Sequence, residues 1–464
     1  MAKKTLGVGT LTLIAILAVS VAASAQTNSQ PTFTKDVAPI LQEKCQSCHR
    51  TGYIAPMSLV TYQEARPWAK AIKDRVSKRQ MPPWHIDKSV GIQEFTNDRS
   101  LTDAQIDTIV KWVDAGAPQG DAKDMPVAKV WPDESKWNFA EKFGGVPDLI
   151  VKSPLYKVNA VAMDAWYKPS VETGLTEPRW VRAIEIRPST VKGRRVTHHA
   201  LARLSQSEGA AAAPTVGTSA TTAAPGAAVG AGDTLAAAAG AGLFMEWAVG
   251  KQGEIMRPNS GKLMLPGSKI IFEIHYHAVG EEITDQVELG IYFYPKGQEP
   301  KYRQTLGLFS SVAGGARNID IAPESTFVSQ SFTTLRQNGR VENFQPHMHL
   351  RGKAMSLEAI LPNGTTTILS YVDHFDFNWM TNYIYADDAA PLLPKGTILK
   401  VTSWYDNTSN NKNNPDSNQW VGFGDRTVDE MGHAWINLTY MSDEDFAAEQ
   451  AKRRTATANK NNNQ

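Results

Sequence analysis

The chain has 464 residues, 42% of them hydrophobic, and carries 48 basic against 47 acidic side chains for a formal net charge of +1. That length exceeds one ordinary domain and predicts roughly two to four. The charge balance gives no reason to expect nucleic acid or an anionic membrane as partner. Its two cysteines both lie in Cys45-Gln46-Ser47-Cys48-His49, so the fold is expected to rest on packed cores rather than on disulfides.

In chain order, the first element is a targeting segment. Lys3 and Lys4 precede an apolar run from Leu6 to Ala22, and Ala23-Ser24-Ala25 follows. A basic start, an apolar stretch and an A-x-A site predict a signal peptide over residues 1–25, and so a periplasmic or secreted protein. The competing reading is an uncleaved anchor; the A-x-A triplet favours cleavage, and no later stretch is apolar for long enough to span a bilayer. Residues 27–126 read as a compact helical unit. A short helix is expected to start with Asp36 as N-cap and Pro39 in its first turn. A longer one starts at Thr102 with Gln105 as capping-box partner, continues through Ile106, Ile109, Val110 and Val113, and stops at Gly116 and Pro118.

From Trp131 the pattern changes to strands. Residues 270–277, 287–294 and 397–404 have the length and β-branched content of strands. Turn signals such as Pro266-Gly267, Pro362-Asn363-Gly364 and Pro394-Lys395-Gly396 separate them. This mostly β region is the right size for two sandwiches, over residues 131–310 and 311–445. Residues 207–242, rich in Ala and Gly, read as a flexible insertion, and residues 452–464 as a disordered polar tail. A helix is expected from about Asp443.

Cys-x-x-Cys-His predicts one covalently attached haem c: two thiols add to the vinyl groups and His49 ligates the iron. A redox dithiol or half of a zinc site is the alternative, but no second cysteine pair completes a zinc site. Met81, in Gln80-Met81-Pro82-Pro83-Trp84, is the expected sixth ligand because a thioether suits electron transfer. Met57 and His85 are its rivals. The segment resembles a small monohaem cytochrome c, which implies an all-α cytochrome domain over residues 27–126.

Ten histidines are present. Outside the haem module, which holds His49 and His85, they group as His198-His199, His275-Tyr276-His277 and His347-Met348-His349, with His374 and His433 single. Residues i and i+2 of a strand face one side, so a His-x-His pair can aim two imidazoles at one point. Copper and zinc both accept imidazole. Adjacent histidines point apart on a regular strand, so His198 and His199 can share a metal only across a turn or bulge.

Four segments occur in order: Thr197-His198-His199, Phe272-Glu273-Ile274-His275-Tyr276, Pro346-His347-Met348-His349 and Thr427-Val428-Asp429-Glu430-Met431. Together they resemble the copper type II, ascorbate-dependent monooxygenases, the family of peptidylglycine α-hydroxylating monooxygenase and dopamine β-hydroxylase. The resemblance spans roughly residues 145–440. It implies two copper ions on two all-β, jelly-roll-like sandwich domains. His198, His199 and His275 match the electron-storing copper. His347, His349 and Met431 match the catalytic copper, where oxygen binds and a substrate C–H bond is attacked. A soft thioether stabilises Cu(I) and is a poor zinc ligand, in keeping with that assignment. His277 departs from the pattern and reads as a neighbouring or exposed residue. His433 lines the catalytic site or caps a strand, and His374 structures a loop.

The departures carry information as well. Peptide-amidating members place an arginine two residues before the His-x-His and a tyrosine four after the methionine; here Gln345 and Trp435 stand there. A glycine-extended peptide is therefore not the expected substrate. The expected function is a copper monooxygenase that uses O2 on a small organic substrate, with an external electron donor feeding the fused haem. A periplasmic electron-transfer or copper-binding protein without oxygenase activity is the alternative. A haem peroxidase is a third reading, weakened if Met81 closes the sixth position of the iron.

Overall fold

The computed structural model describes residues 30–207 (apart from 52, 54, 132–135 and 164), 242–248, 251, 253–312 and 318–462. The expected signal peptide and nearly all of the 207–242 insertion lie outside the described residues. The described chain is mostly β, with helices at its two ends. Among the described residues no helix is long and apolar enough to cross a membrane.

The N-terminal helices are α1 (Ala38–Lys44), α2 (Ala69–Ser77) and α3 (Asp103–Asp114). Phe33, Leu41, Ile72, Ile109 and Trp112 form their shared core. Thr102 caps α3 in a capping box with Gln105, as its sequence predicts. The first helix starts earlier than expected. Thr32 is its N-cap, and Asp36 reaches back to accept from the Thr32 amide at 2.7 Å, closing the π-helical turn Phe33–Val37 ahead of α1. A carboxylate inside the first turn can cap from within.

One part of the segment expected to be helical joins another unit. Trp84 and Ile86 are buried in the C-terminal β core, and Ile92 and Phe95 pack against it. Ile86 bridges Val372 and Phe95 bridges Tyr385. The Asp87 amide donates to the Tyr371 carbonyl at 2.8 Å. These apolar residues lack helical spacing, so they find their burial by lying along a sheet edge.

The first β unit contributes β1 (Leu149–Lys152), β2 (Ala165–Tyr167), β3 (Ser170–Glu172), β4 (Arg179–Pro188), β5 (Thr197–Ser205), β6 (Gly242–Ala248), β7 (Ser260–Met264), β8 (Lys269–Tyr276) and β9 (Val287–Phe293). The second contributes β10 (Tyr302–Ser310), β11 (Thr326–Thr334), β12 (Asn338–Val341), β13 (Asn343–Met348), β14 (Gly352–Ile360), β15 (Thr366–Val372), β16 (Ile398–Asp406) and β17 (Gly432–Met441). One eleven-stranded sheet runs through both units in the order β1-β9-β4-β7-β10-β17-β12, crossing between them where β10 lies parallel to β7. A five-stranded sheet (β2-β8-β5-β6, with β3 on β8) covers it in the first unit, and a four-stranded sheet (β11-β16-β14-β15) in the second. Each unit thus encloses its own two-layer core.

Alternation along the strands decides what faces what. On β5, Ala200, Ala202 and Leu204 enter the first core, and on β8 so do Ile270, Phe272, Ile274 and Tyr276. Their neighbours in sequence, including His199 and His275, therefore face the other way. On β17, Ala434, Ile436 and Leu438 enter the second core, which turns His433 and Trp435 outward. Leu201, Leu243, Leu306 and Trp435 cluster between the two units. The outward faces of the histidine-bearing strands thus meet at this junction.

The C-terminal helix α4 (Asp443–Asn462) corrects the disorder expected for residues 452–464, as far as Asn462. Arg453 donates to the Ala390 carbonyl at 2.6 Å and the Asp387 carbonyl at 3.0 Å, and Phe446 is buried. Those tertiary contacts fix a segment whose Ala, Lys and Arg content already favours helix.

Candidate metal centres

His198, His199 and His275 converge, each offering a nitrogen within 4.8 Å of the others. The ring centroids are 5.3, 5.2 and 4.9 Å apart. Three imidazoles bound tetrahedrally at ordinary metal–nitrogen lengths would have centroids about 5 Å apart. The backbone reason is a bulge. His275 pairs with His199 and Tyr276 with Thr197, so His198 has no partner in the ladder and turns to the side of His199. His277 lies beyond the end of β8 and is exposed; the cross-strand His199 is the partner that His275 meets.

Trp166 on β2 sits opposite His275 and stacks on it at 4.8 Å and 3°, while its edge meets His199 at 5.0 Å. Burial, reinforced by the neighbouring imidazoles, holds His199 well below the usual histidine range. It stays neutral at pH 7, the form that ligates metal.

The second set is built on β13 and β17. His347 pairs with His433 and Met348 with Gly432, where the ladder ends; His349 follows Met348 and Met431 precedes Gly432. His347 lies 5.3 Å from His349, 4.6 Å from His433 and 4.9 Å from Trp435. The Nδ1 of His349 faces the Asp429 carbonyl at 3.1 Å, which leaves Nε2 as the atom that could ligate a metal. Burial lowers all three histidines: His347 strongly, His349 to about 4 and His433 to about 3.

Glu430 holds this site together. It is fully buried and accepts from the amides of His349 at 3.0 Å and Arg351 at 2.7 Å. Burial pushes its carboxyl up to about 8, although those two amides pull it down. Glu430 therefore ties the backbone of the His-x-His segment to the chain bearing Met431.

Residues 373–382 form a loop between the two sets. The Phe377 ring lies 5.8 Å from His198 and 5.8 Å from His349, so the two imidazoles are no farther apart than twice that distance. In the same loop the Met380 sulfur sits 2.9 Å from the His347 Nδ1. His374 pairs with Asp373 at 2.7 Å and is otherwise exposed. The sequence pattern named neither Phe377 nor Met380, and it offered no signal for them: no spacing relates them to the histidines, and a lone Met is usually core filler. Trp166 was missed for the same reason.

At the N-terminal motif, His49 and Cys48 donate their amides to the Cys45 carbonyl, wrapping Cys-x-x-Cys-His into one turn. Both cysteines are free thiols. Burial, then the neighbouring Cys48, pushes the Cys45 thiol up to about 12, whereas redox dithiols work through a lowered thiol. The His49 Nδ1 faces the Met57 carbonyl at 3.2 Å, which leaves Nε2 for a metal and places Met57 beside His49. Met81 and His85 line a cavity of about 550 Å³ with Leu101, Ile106, His374 and Phe375. The Cys45 and Cys48 thiols and the His49 Nε2, set on one turn, fit covalent attachment of a haem; the cavity that Met81 lines includes none of these three residues.

No protein-family model matches the chain, and no curated protein does. Among solved structures it is similar to a chain of the structure of infectious bursal disease virus Gx strain, at 9% identity and TM-score 0.17, covering 67% of this chain and 79% of that one. A chain of the Gt strain structure gives 12% identity and TM-score 0.14, covering 67% and 75%. Similarity at that level carries no argument about fold or function.

Proposed function

We propose that this chain is an exported copper-dependent monooxygenase that draws electrons through its own c-type haem. The observation that carries the reading is the pairing at the junction of the β units: an all-imidazole set facing an imidazole set with the Met380 thioether beside it, with Phe377 against both. Copper at these sites would supply oxygen reduction and attack on a C–H bond, taking O2, two electrons and two protons, placing one oxygen atom in the substrate and releasing the other as water. His198, His199 and His275 would hold one ion; His347, His349 and Met431 would hold the other. Cys45, Cys48 and His49, with Met81 as sixth ligand, would hold the haem in an all-α cytochrome domain, ahead of two jelly-roll-like sandwiches.

The chain's own contribution is to keep the imidazoles neutral by burial and fixed by their neighbours. Trp166 stacked on His275 blocks one side of the first set. Gln345 and Trp435 provide neither the cation nor the phenol that a peptide carboxylate would use, so the substrate is a small organic molecule of another kind.

The test is reconstitution with haem and copper. Two coppers per haem, a low-spin haem spectrum with a sulfur-ligand band, and oxygen-dependent substrate oxidation from reduced haem are expected. Full metal loading with no oxygen-dependent product across a broad substrate panel would overturn the oxygenase reading and leave an electron-transfer or copper-binding protein.

A further inference from the structure

We infer that Met380 is a second sulfur ligand at the His347/His349 site, so that copper there is held by two imidazoles and two thioethers. The inference rests on reading that site as a copper centre. It starts from the 2.9 Å between the His347 Nδ1 and the Met380 sulfur. A nitrogen and a sulfur bound to one ion at ordinary metal–ligand lengths lie about 3 Å apart at right angles and about 3.5 Å apart at the tetrahedral angle, so the observed separation lies at the close end of ligating distances. Two such atoms in simple contact would stand farther off.

Met380 does not reach that position by chance of a swinging loop. The Gln345 side-chain amide donates to the Met380 carbonyl at 3.2 Å, and the Asn343 side chain donates to Asn382 at 2.6 Å. Both anchors are on β13, the strand that carries His347. Gln345 thus fixes the loop that brings in the sulfur. The four donors also divide the site between them. Met380 comes from the 373–382 loop at His347, while Met431 immediately precedes β17, whose Gly432 pairs with Met348. His349 offers Nε2 and His347 offers Nδ1. A site with two soft donors favours Cu(I) over Cu(II) more strongly than one with a single thioether.

The experiment is X-ray absorption at the copper edge on the haem-loaded, Cu(I)-loaded full chain, comparing wild type, Met431→Leu and Met431→Leu/Met380→Leu. Sulfur scattering near the copper is expected to persist in Met431→Leu and to vanish in the double variant. Its complete loss in Met431→Leu overturns the inference, and so does a wild-type chain that takes up no copper at His347/His349. A second measurement separates a ligand from a hydrogen-bond acceptor. Met380→Leu is expected to lower Cu(I) affinity at this site about tenfold and leave Cu(II) affinity nearly unchanged. Equal loss for both oxidation states would mean that Met380 only orients the ring, and would overturn the inference. Neither readout requires turnover, so persistent sulfur scattering in a chain that oxidises no substrate would uphold the ligand set while removing the oxygenase reading.

Discussion

Replacing Glu254 by Gln tests how the first β unit keeps its histidine strand in place. Glu254 is buried beside β4 and accepts from Lys262 Nζ at 2.8 Å and Lys251 Nζ at 2.9 Å. Lys262 also donates to the Phe244 carbonyl at 2.6 Å, pinning β6, the neighbour of the strand with His198 and His199. Burial alone would raise the Glu254 carboxyl, but the two ammonium groups overcome it and hold the group at about 2 against an ordinary 4.5. Lys262 moves the other way for a paired lysine, downward, because for it burial outweighs its carboxylate. The carboxylate, facing two cations, is the side from which the magnitude follows. At about 1.4 kcal/mol per factor of ten in proton affinity, ionised Glu254 contributes roughly 3 kcal/mol. A lowered carboxyl gives stability that is complete above 4.5 and is lost as the pH falls through about 2. The deficit of Glu254→Gln should thus be roughly 3 kcal/mol at pH 7 and roughly half of that at pH 3. Hydrogen exchange of the β6–β8 amides in both proteins at both pH values measures it. An equal deficit at the two pH values would show that shape rather than charge is lost, and would refute the reasoning.

Three further outcomes are expected. His275→Ala should bring copper from two to one per chain and leave the second site loaded; loss of both coppers would show that the sites do not bind independently. Gly91→Ala should loosen the 84–97 segment by roughly 2 kcal/mol, because Gly91 has φ +75° and an added Cβ would meet the Leu369 carbonyl at 2.6 Å. Faster exchange at Ile92 and Thr96, whose amides bond to Leu369 and Ile384, would register it. Thr102→Ala removes the hydroxyl that accepts from the Gln105 amide, one half of the α3 capping box, and should cost about 1 kcal/mol, read as faster exchange along α3 with the β units unchanged.

What the sequence disclosed depended on whether the signal was local. The α3 cap was legible because Thr102 and Gln105 are three residues apart. The β character was legible in alternation and turn residues. The requirement for a bulge at His198-His199 followed from strand geometry, and the ladder places one there. What stayed hidden was made by distant pairing. That His275 meets His199 is set by the register of β5 against β8; spacing within one strand carries no sign of it, and the grouping of His198, His199 and His275 came from the resemblance alone. The landing of Trp84 and Ile86 on a sheet edge nearly three hundred residues later has no local signature. Phe377 and Met380 belong to a loop whose position is dictated by Asn343 and Gln345, and the helical tail by an Arg453 contact to a distant turn.

The parallel pairing of Ser260–Gly261 with Tyr302–Arg303 makes the long sheet one ladder across both β units. A pair of bodies joined by a flexible linker can open and shut on a substrate; two bodies sharing a hydrogen-bonded sheet cannot hinge there without breaking it. The gap between the histidine sets is therefore a constant of the molecule. On the proposed function, an electron passing between the sets would cross a distance that this ladder holds.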